Sequence, residues 1–276
     1  MHRSQIAGER ARVAYASLSN CHLCAHHCGV DRLAGERGPC HAGFETRIFS
    51  AQTEVADELE LIPTFAIALS GCDLRCAFCI TGAESWNPRA GQIFNPTNIA
   101  TKAERALANG TRSIMILGGE PTIHLPAVLE MVAALPETAT LVWKTNAHGS
   151  EQARSLLDGL FDIWVADYKF GNDSCAQNLA GVINYVQIVQ ENLIWAYRHS
   201  RLIVRHLIMP GHVNCCWEPV AGWLKENLPD VRVNLRSGFW PAWQSWRHRE
   251  LQSGFSDDET GQALSIAHDY HLNLIS

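Results

Sequence analysis

The stretch GCDLRCAFC, residues 71–79, holds three cysteines, Cys72, Cys76 and Cys79, separated by three residues and then two. Thiols this close suit a soft metal centre. Structural zinc takes four protein ligands and closes its shell. A 4Fe-4S cubane is normally bound by four cysteines, so three leave one iron with an open position. Such an iron can bind a further molecule and pass it an electron. A zinc knuckle with a distant fourth ligand, or an electron-transfer cluster completed by a distant cysteine, fits the same spacing.

A second group, Cys21, Cys24, Cys28 and Cys40, supplies four thiols, with His22, His26, His27 and His41 as neighbouring alternatives. The segment is rich in Cys, His and Gly and poor in apolar residues, so it needs a ligand to order it. Zinc and an auxiliary 4Fe-4S cluster both suit it, as a structural knuckle or an electron relay. Four ligands would close the site and argue against its gripping a substrate. The other three cysteines, Cys175 and the adjacent pair Cys215 and Cys216, read as packing or incidental thiols, since neighbouring cysteines seldom share one metal comfortably.

These residues sit in a 276-residue chain that is 47% hydrophobic and 18% charged, the balance of an ordinary globular protein with a sizeable core. The net charge of −6 and the lack of a basic stretch argue against nucleic acid. No window approaches the roughly 18 apolar residues of a membrane helix, and the first residues lack the apolar run of a secretory signal. A cytoplasmic location without a membrane partner is the expectation. Clustered cysteines there point to metal or redox chemistry rather than disulfides.

The thiols must be positioned by a regular framework, and the sequence supplies one. A helix is expected over 4–18. Short apolar runs at 65–70, 113–118, 140–145, 162–169, 202–208 and 231–236 read as buried strands. Helical patterns at 95–110, 126–135, 151–160, 174–198, 217–227 and 257–270 alternate with them. Six β-then-α units predict an α/β fold with a parallel sheet covered by helices, either open or a partial (β/α)6 barrel. The expected domains are 1–45, an N-terminal helix and cysteine-rich metal knuckle, and 46–276, the βα run. In either architecture the site lies at the C-terminal strand ends.

Polar residues do follow the strands. The first ends in the three-cysteine loop and the second in GGEPT, where Gly118 and Gly119 would let a ligand approach the backbone and Glu120 could accept from an ammonium. Taken alone, GGEPT also reads as a plain strand-to-helix turn. The third strand ends in Lys144, Thr145 and Asn146. The fourth carries Asp167 and Lys169, two apart and so on one side, where a strand-end ion pair is the plain alternative. In the fifth, Arg205 and His206 point to opposite faces, so one of them faces the site. Asn234 and Arg236 are weaker candidates on the sixth. His124 is expected on the surface. Trp240, Trp243 and Trp246, at three-residue spacing, read as packing, with a lid or substrate wall as the alternative.

C-x3-C-x-Phe-C after the first strand, followed by Gly-Gly-Glu after the second, resembles the radical S-adenosylmethionine (SAM) superfamily, and the likeness extends from about residue 20 to about residue 270. Within it the chain is most similar to pyruvate formate-lyase activating enzyme homologues with an extra N-terminal cysteine segment. The resemblance implies a partial barrel in which Cys72, Cys76 and Cys79 hold a 4Fe-4S cluster whose open iron chelates SAM. Phe78 would lie near the adenine, and Gly118, Gly119 and Glu120 near the SAM amino group. Asn146, Asp167, Lys169 and Arg205 would surround the carboxylate and ribose. It implies an oxidoreductase-type enzyme: an external donor such as a flavodoxin or ferredoxin reduces the cluster, SAM is cleaved, and a 5′-deoxyadenosyl radical abstracts hydrogen from a protein, peptide or small molecule. Activation of a glycyl radical enzyme is one form of this. Ile80-Thr81 departs from the Gln-Asn that often follows the third cysteine in members, which puts contacts of those side chains in question. The rival reading is a non-catalytic iron–sulfur carrier or metal-binding interaction protein, which would need no SAM pocket.

Overall fold

The computed structural model describes residues 2–56, 58–254 and 256–275. The strands among the described residues are β1 (Arg47–Glu54), β2 (Thr64–Leu69), β3 (Gln92–Ile93), β4 (Ser113–Gly118), β5 (Leu141–Thr145), β6 (Ile163–Asp167), β7 (Arg201–Leu207), β8 (Arg232–Arg236) and β9 (Asn273–Leu274). The α-helices among the described residues are α1 (Arg3–Ala16), α2 (Ala83–Trp86), α3 (Pro96–Ala108), α4 (Leu125–Ala133), α5 (Glu151–Leu157), α6 (Asp173–Ala180), α7 (Tyr185–His199), α8 (Glu218–Asn227) and α9 (Asp257–Asp269). The sheet order is β3-β1-β2-β4-β5-β6-β7-β8-β9. The expected α/β class with a mostly parallel, unclosed sheet holds.

Contacts divide the chain into two compact units, Met1–Asp73 with Ala83–Trp164 and Leu74–Gly82 with Val165–Ser276. In the first, β2 pairs in parallel with β4, and β4 with β5. All six residues of β2 are buried, the continuous burial of a strand covered on both faces. The sequence did not announce β1, an antiparallel neighbour of β2 that also pairs with the edge strand β3. Helix α1 lays an alanine stripe, Ala7, Ala11 and Ala14, against α4. Small residues at that spacing let the two helices approach closely, and a side chain at Gly8 would meet Ala133 at 3.7 Å.

In the second unit β7, β8 and β9 are parallel. The helical run expected over 174–198 is two helices, because Gly181 ends α6 at φ +71°, the left-handed conformation glycine adopts freely. A five-residue π-turn, Val213–Trp217, leads into α8.

Candidate active site

The first unit gathers polar residues at the C-terminal ends of β2, β4 and β5. Asp73, directly after Cys72, is buried. Its Oδ1 accepts from Asn146 Nδ2 at 2.7 Å and its Oδ2 lies 2.7 Å from His148 Nδ1. His26 Nε2 meets the Asp73 carbonyl oxygen at 2.9 Å. Burial alone would raise the Asp73 pKa, but the His148 and Asn146 hydrogen bonds outweigh it and hold the carboxyl below its ordinary value. Sequence reasoning singled out neither Asp73 nor His148. The available signal was their position, one inside the cysteine loop and the other two residues beyond Asn146.

Glu120 is also buried. Its Oε1 accepts from the Thr122 amide, the Thr122 hydroxyl and Thr145 Oγ1, and its Oε2 accepts from the Asn146 amide at 2.8 Å. The carboxylate thus clamps the β4 and β5 loops together. It has about four acceptor sites in all, and Oε2 keeps capacity for another donor. Burial, with Asp73 nearby, raises its pKa to about 7. The adjacent glycines act within the chain: a side chain at Gly118 would lie 2.2 Å from Leu69 backbone atoms, and one at Gly119 would lie 1.9 Å from the Gly71 carbonyl oxygen. They allow the β4 loop to close on the β2 loop. His124 is fully buried rather than at the surface, with Nε2 2.7 Å from the Ser70 carbonyl and Nδ1 3.1 Å from Thr46 Oγ1. Burial depresses its pKa to about 3. Lys144 pairs with buried Glu58 at 3.7 Å.

In the second unit, Lys169 Nζ is 2.6 Å from Asp167 Oδ2 and Arg205 Nε is 3.5 Å from Asp167 Oδ1. Arg205 therefore joins the β6 polar pair, while His206 turns to the other face, 5.0 Å from the Trp217 ring. Burial opposes the Lys169 charge, but Asp167 and Cys76 outweigh it and keep the ammonium protonated. Phe78 is buried edge-on to Phe170, with Phe239 beyond. Asn234 is buried and Arg236 exposed on β8.

Each sulfur of the cysteine loop faces a donor or cation of its own unit. Asn146 Nδ2 lies 3.7 Å from Cys72 Sγ, the Lys169 charge acts on Cys76, and Thr81 Oγ1 lies 3.3 Å from Cys79 Sγ. Cys72 Sγ also lies 3.8 Å from Asp73 Oδ1. Three cysteines with such polar partners are the soft donor set that suits iron–sulfur ligation. Thr81, where the sequence departs from the usual motif, contributes one of these partners, and Ile80 is 80% exposed.

The N-terminal cysteine segment folds beside the β5 loop: Ala25 N donates to the His148 carbonyl and Ser150 N to the Leu23 carbonyl. Cys21, Cys24 and Cys40 are buried, and Cys28 packs so tightly on Gly38 that a side chain there would lie 2.5 Å from its sulfur. Arg32 is buried among them. Its guanidinium meets the Gly43 and Ile123 carbonyls and lies 3.8 Å from Cys21 Sγ.

Residues 67–224, more than half the chain, match the family model described as the radical SAM superfamily. The chain belongs to the radical SAM superfamily. This radical SAM protein is 29% identical over 96% of its length to the uncharacterized protein MJ0674 of Methanocaldococcus jannaschii, of which it covers 79%. Over 105 residues, 37% of the chain, it is 36% identical to the GTP 3′,8-cyclase of Pseudomonas syringae, covering 30% of that enzyme. Among solved structures, it resembles SuiB of Streptococcus suis bound to the precursor peptide SuiA, with a TM-score of 0.57 at 17% identity over 74% of the chain. A radical SAM methyltransferase from Sphaerobacter thermophilus gives a TM-score of 0.53 at 16% identity, over 76% of this chain and 64% of that one. These likenesses show the fold. The chain spans 46% of SuiB. Membership implies a 4Fe-4S cluster and SAM. Among the described residues no helix is long and apolar enough to cross a membrane.

Proposed function

We propose that this radical SAM protein abstracts hydrogen from a peptide or protein segment, with Cys72, Cys76 and Cys79 holding the cluster. When bound, the cluster and SAM supply reductive cleavage of SAM and a radical that takes the hydrogen. The observation that carries the assignment is that three cysteines follow β2 on one short loop, with Asn146, Lys169 and Thr81 as polar partners of their sulfurs. Three ligands from an eight-residue span leave a coordination position for the cofactor.

The chain's own residues would orient SAM. Glu120 Oε2 would accept from the ammonium. Lys169 and Arg205, both held by Asp167, would face the carboxylate and ribose. Phe78, Gly118, Gly119 and Asn146 would line the remainder, the glycines by keeping the loop close and Asn146 by tying it to Cys72. An external flavodoxin or ferredoxin would supply the electron.

Support for a peptide or protein substrate comes from exposed apolar residues in the second unit. Ile80 follows the third cysteine, Trp243 packs on Gly82, and Trp240 and Trp246 are 71% and 65% exposed. SuiB, of similar fold, was solved with a precursor peptide. The resemblance to activating enzymes keeps a glycyl radical enzyme among the protein substrates.

Cys21, Cys24, Cys28 and Cys40 would hold a second centre, zinc or 4Fe-4S. A buried guanidinium surrounded by carbonyls and a thiol needs compensating negative charge, and a metal bound by four thiolates carries it.

Anaerobic reconstitution with dithionite and SAM tests the proposal. It predicts 5′-deoxyadenosine from wild type and none from Cys76→Ala. A loaded wild-type cluster that forms none would leave the carrier reading. Incubation with a glycyl radical enzyme from the same genome, read by electron paramagnetic resonance, tests the activase form.

A further inference from the structure

The second unit contains a group of ligating side chains that the SAM chemistry does not use. Cys175, in the first turn of α6, meets the turn after β7, where the sequence His212-Val-Asn-Cys215-Cys216 puts three ligating residues at i, i+3 and i+4, one face of a helical turn. His212 Nδ1 is 3.5 Å from Cys175 Sγ, 3.4 Å from Cys215 Sγ and 3.7 Å from Cys216 Sγ. Cys175 Sγ is 3.9 Å from Cys215 Sγ. All four ligand atoms lie within 4.8 Å of one another.

Hydrogen bonding to the imidazole does not account for three sulfurs converging on one nitrogen. A neutral imidazole nitrogen offers one donor or one acceptor site, so it can satisfy one of the three sulfurs. The 3.9 Å sulfur separation is far beyond a disulfide's roughly 2.05 Å. A single shared cation explains every distance. Ligands at about 2.3 Å for sulfur and about 2.0–2.1 Å for nitrogen on a tetrahedron give edges of about 3.8 Å between sulfurs and about 3.6 Å from sulfur to nitrogen. The Cys175–Cys215 distance and the three sulfur–nitrogen distances match these edges, and the other sulfur pairs lie within 4.8 Å, the span of ligands around one ion rather than a multi-iron cluster.

An amide side chain also meets these sulfurs. Asn172 caps α6 by accepting from the Cys175 amide, and its Nδ2 lies 3.2 Å from Cys175 Sγ and 3.9 Å from Cys216 Sγ while donating to the Cys215 carbonyl at 2.7 Å. Outer hydrogen bonds of this kind orient metal ligands. A side chain at Gly171 would lie 2.3 Å from the Cys216 carbonyl oxygen, so glycine permits the two loops to meet. Cys215 is exposed, which gives an ion a way in.

We propose that Cys175, His212, Cys215 and Cys216 bind one tetrahedral zinc ion, the adjacent Cys215 and Cys216 sharing it, against the sequence expectation of incidental thiols, because the turn holds both sulfurs within 3.4–3.7 Å of His212 Nδ1. Three cysteines and a histidine form a closed structural site. It staples the loop after β6 to the turn after β7, the strands that carry Asp167 and Arg205.

The test uses full-length protein purified anaerobically after growth with zinc. Iron and zinc are counted in wild type, in Cys175→Ser/Cys215→Ser and in Cys21→Ser/Cys24→Ser, the last removing any contribution from the N-terminal segment. The expected result is one zinc per chain that survives loss of Cys21 and Cys24 and is lost with Cys175 and Cys215, with the iron of the cysteine-loop cluster unchanged. Zinc X-ray absorption on the Cys21/Cys24 variant should show three sulfurs and one nitrogen, a readout that holds even if the Cys175/Cys215 variant does not fold. No zinc in the Cys21/Cys24 variant, zinc with another ligand set, or a Cys175–Cys215 disulfide in anaerobic protein overturns the proposal. Because the readouts are metal content and coordination, failure here is separable from failure to cleave SAM.

Discussion

Asp73 and His148 form a buried hydrogen-bonded pair, 2.7 Å between Oδ2 and Nδ1, immediately beside Cys72. The other carboxylate oxygen holds Asn146, whose amide reaches the Cys72 sulfur. Cys72 is thus backed by a carboxylate, an amide and an imidazole. Removing the carboxylate leaves two buried polar side chains without it, which costs about 3 kcal/mol. Asp73→Ala should lower the unfolding free energy of the apoprotein by that order and shift the reduction potential of the reconstituted cluster. Denaturant titration and redox titration measure the two effects. A variant with wild-type stability and potential would remove Asp73 from the site.

Glu120 carries a prediction about pH. Its carboxyl titrates near 7, and only the ionised form attracts an ammonium. As pH rises through about 7, SAM affinity in the reconstituted protein should increase, and Glu120→Gln should bind more weakly with a flatter profile. Binding measured anaerobically between about pH 6 and 8 reads this out. A wild-type profile that falls across the interval would remove Glu120 from ammonium recognition.

Two buried imidazoles make the fold acid-sensitive. His124 titrates near 3 and His206 near 4 because burial disfavours their charged forms, and each is hydrogen-bonded to a backbone carbonyl. Above the unfolded value of about 6.5 both states are neutral and the stability is fully present. As pH falls below it the unfolded chain takes up protons that the folded chain refuses, so stability is lost toward pH 3–4. At about 1.4 kcal/mol per unit the loss reaches several kcal/mol. Unfolding midpoints followed from neutral to acid should fall, and a His206→Gln variant should show a shallower decline.

A pair of glycine substitutions separates close approach from free space. Gly119→Ala would push a methyl group to 1.9 Å from the Gly71 carbonyl, whereas Gly261 in α9 has nothing within 4 Å. Gly119→Ala should disrupt the loop and cluster loading. Gly261→Ala should be neutral or raise stability by up to about 1 kcal/mol through helix propensity. Thermal melts and iron content compare them.

Much of this framework was legible from periodicity. The buried strands and their following helices lie within a few residues of the expected positions because continuous apolar runs and capping residues mark them. Strand β1 was not expected, since RIFSAQTE has one fully buried residue and lacks that run. The split of 174–198 depended on one glycine adopting a positive φ. His124 looked like a loop residue, and its burial depends on Ser70 and Thr46, both remote in sequence. The cysteine loop was readable because its chemistry is local. The Asp73–His148 pair and the Cys175–His212–Cys215–Cys216 group were not, because each needs the fold to bring distant segments together.

The most direct test of the central claim is Mössbauer spectroscopy of iron-57-reconstituted Cys21→Ser/Cys24→Ser protein with and without SAM. The account predicts a 4Fe-4S cluster in which one iron alone changes its signal when SAM is added. Four equivalent irons that ignore SAM, or a cluster that persists unchanged in a Cys76→Ala version of the same protein, would contradict it.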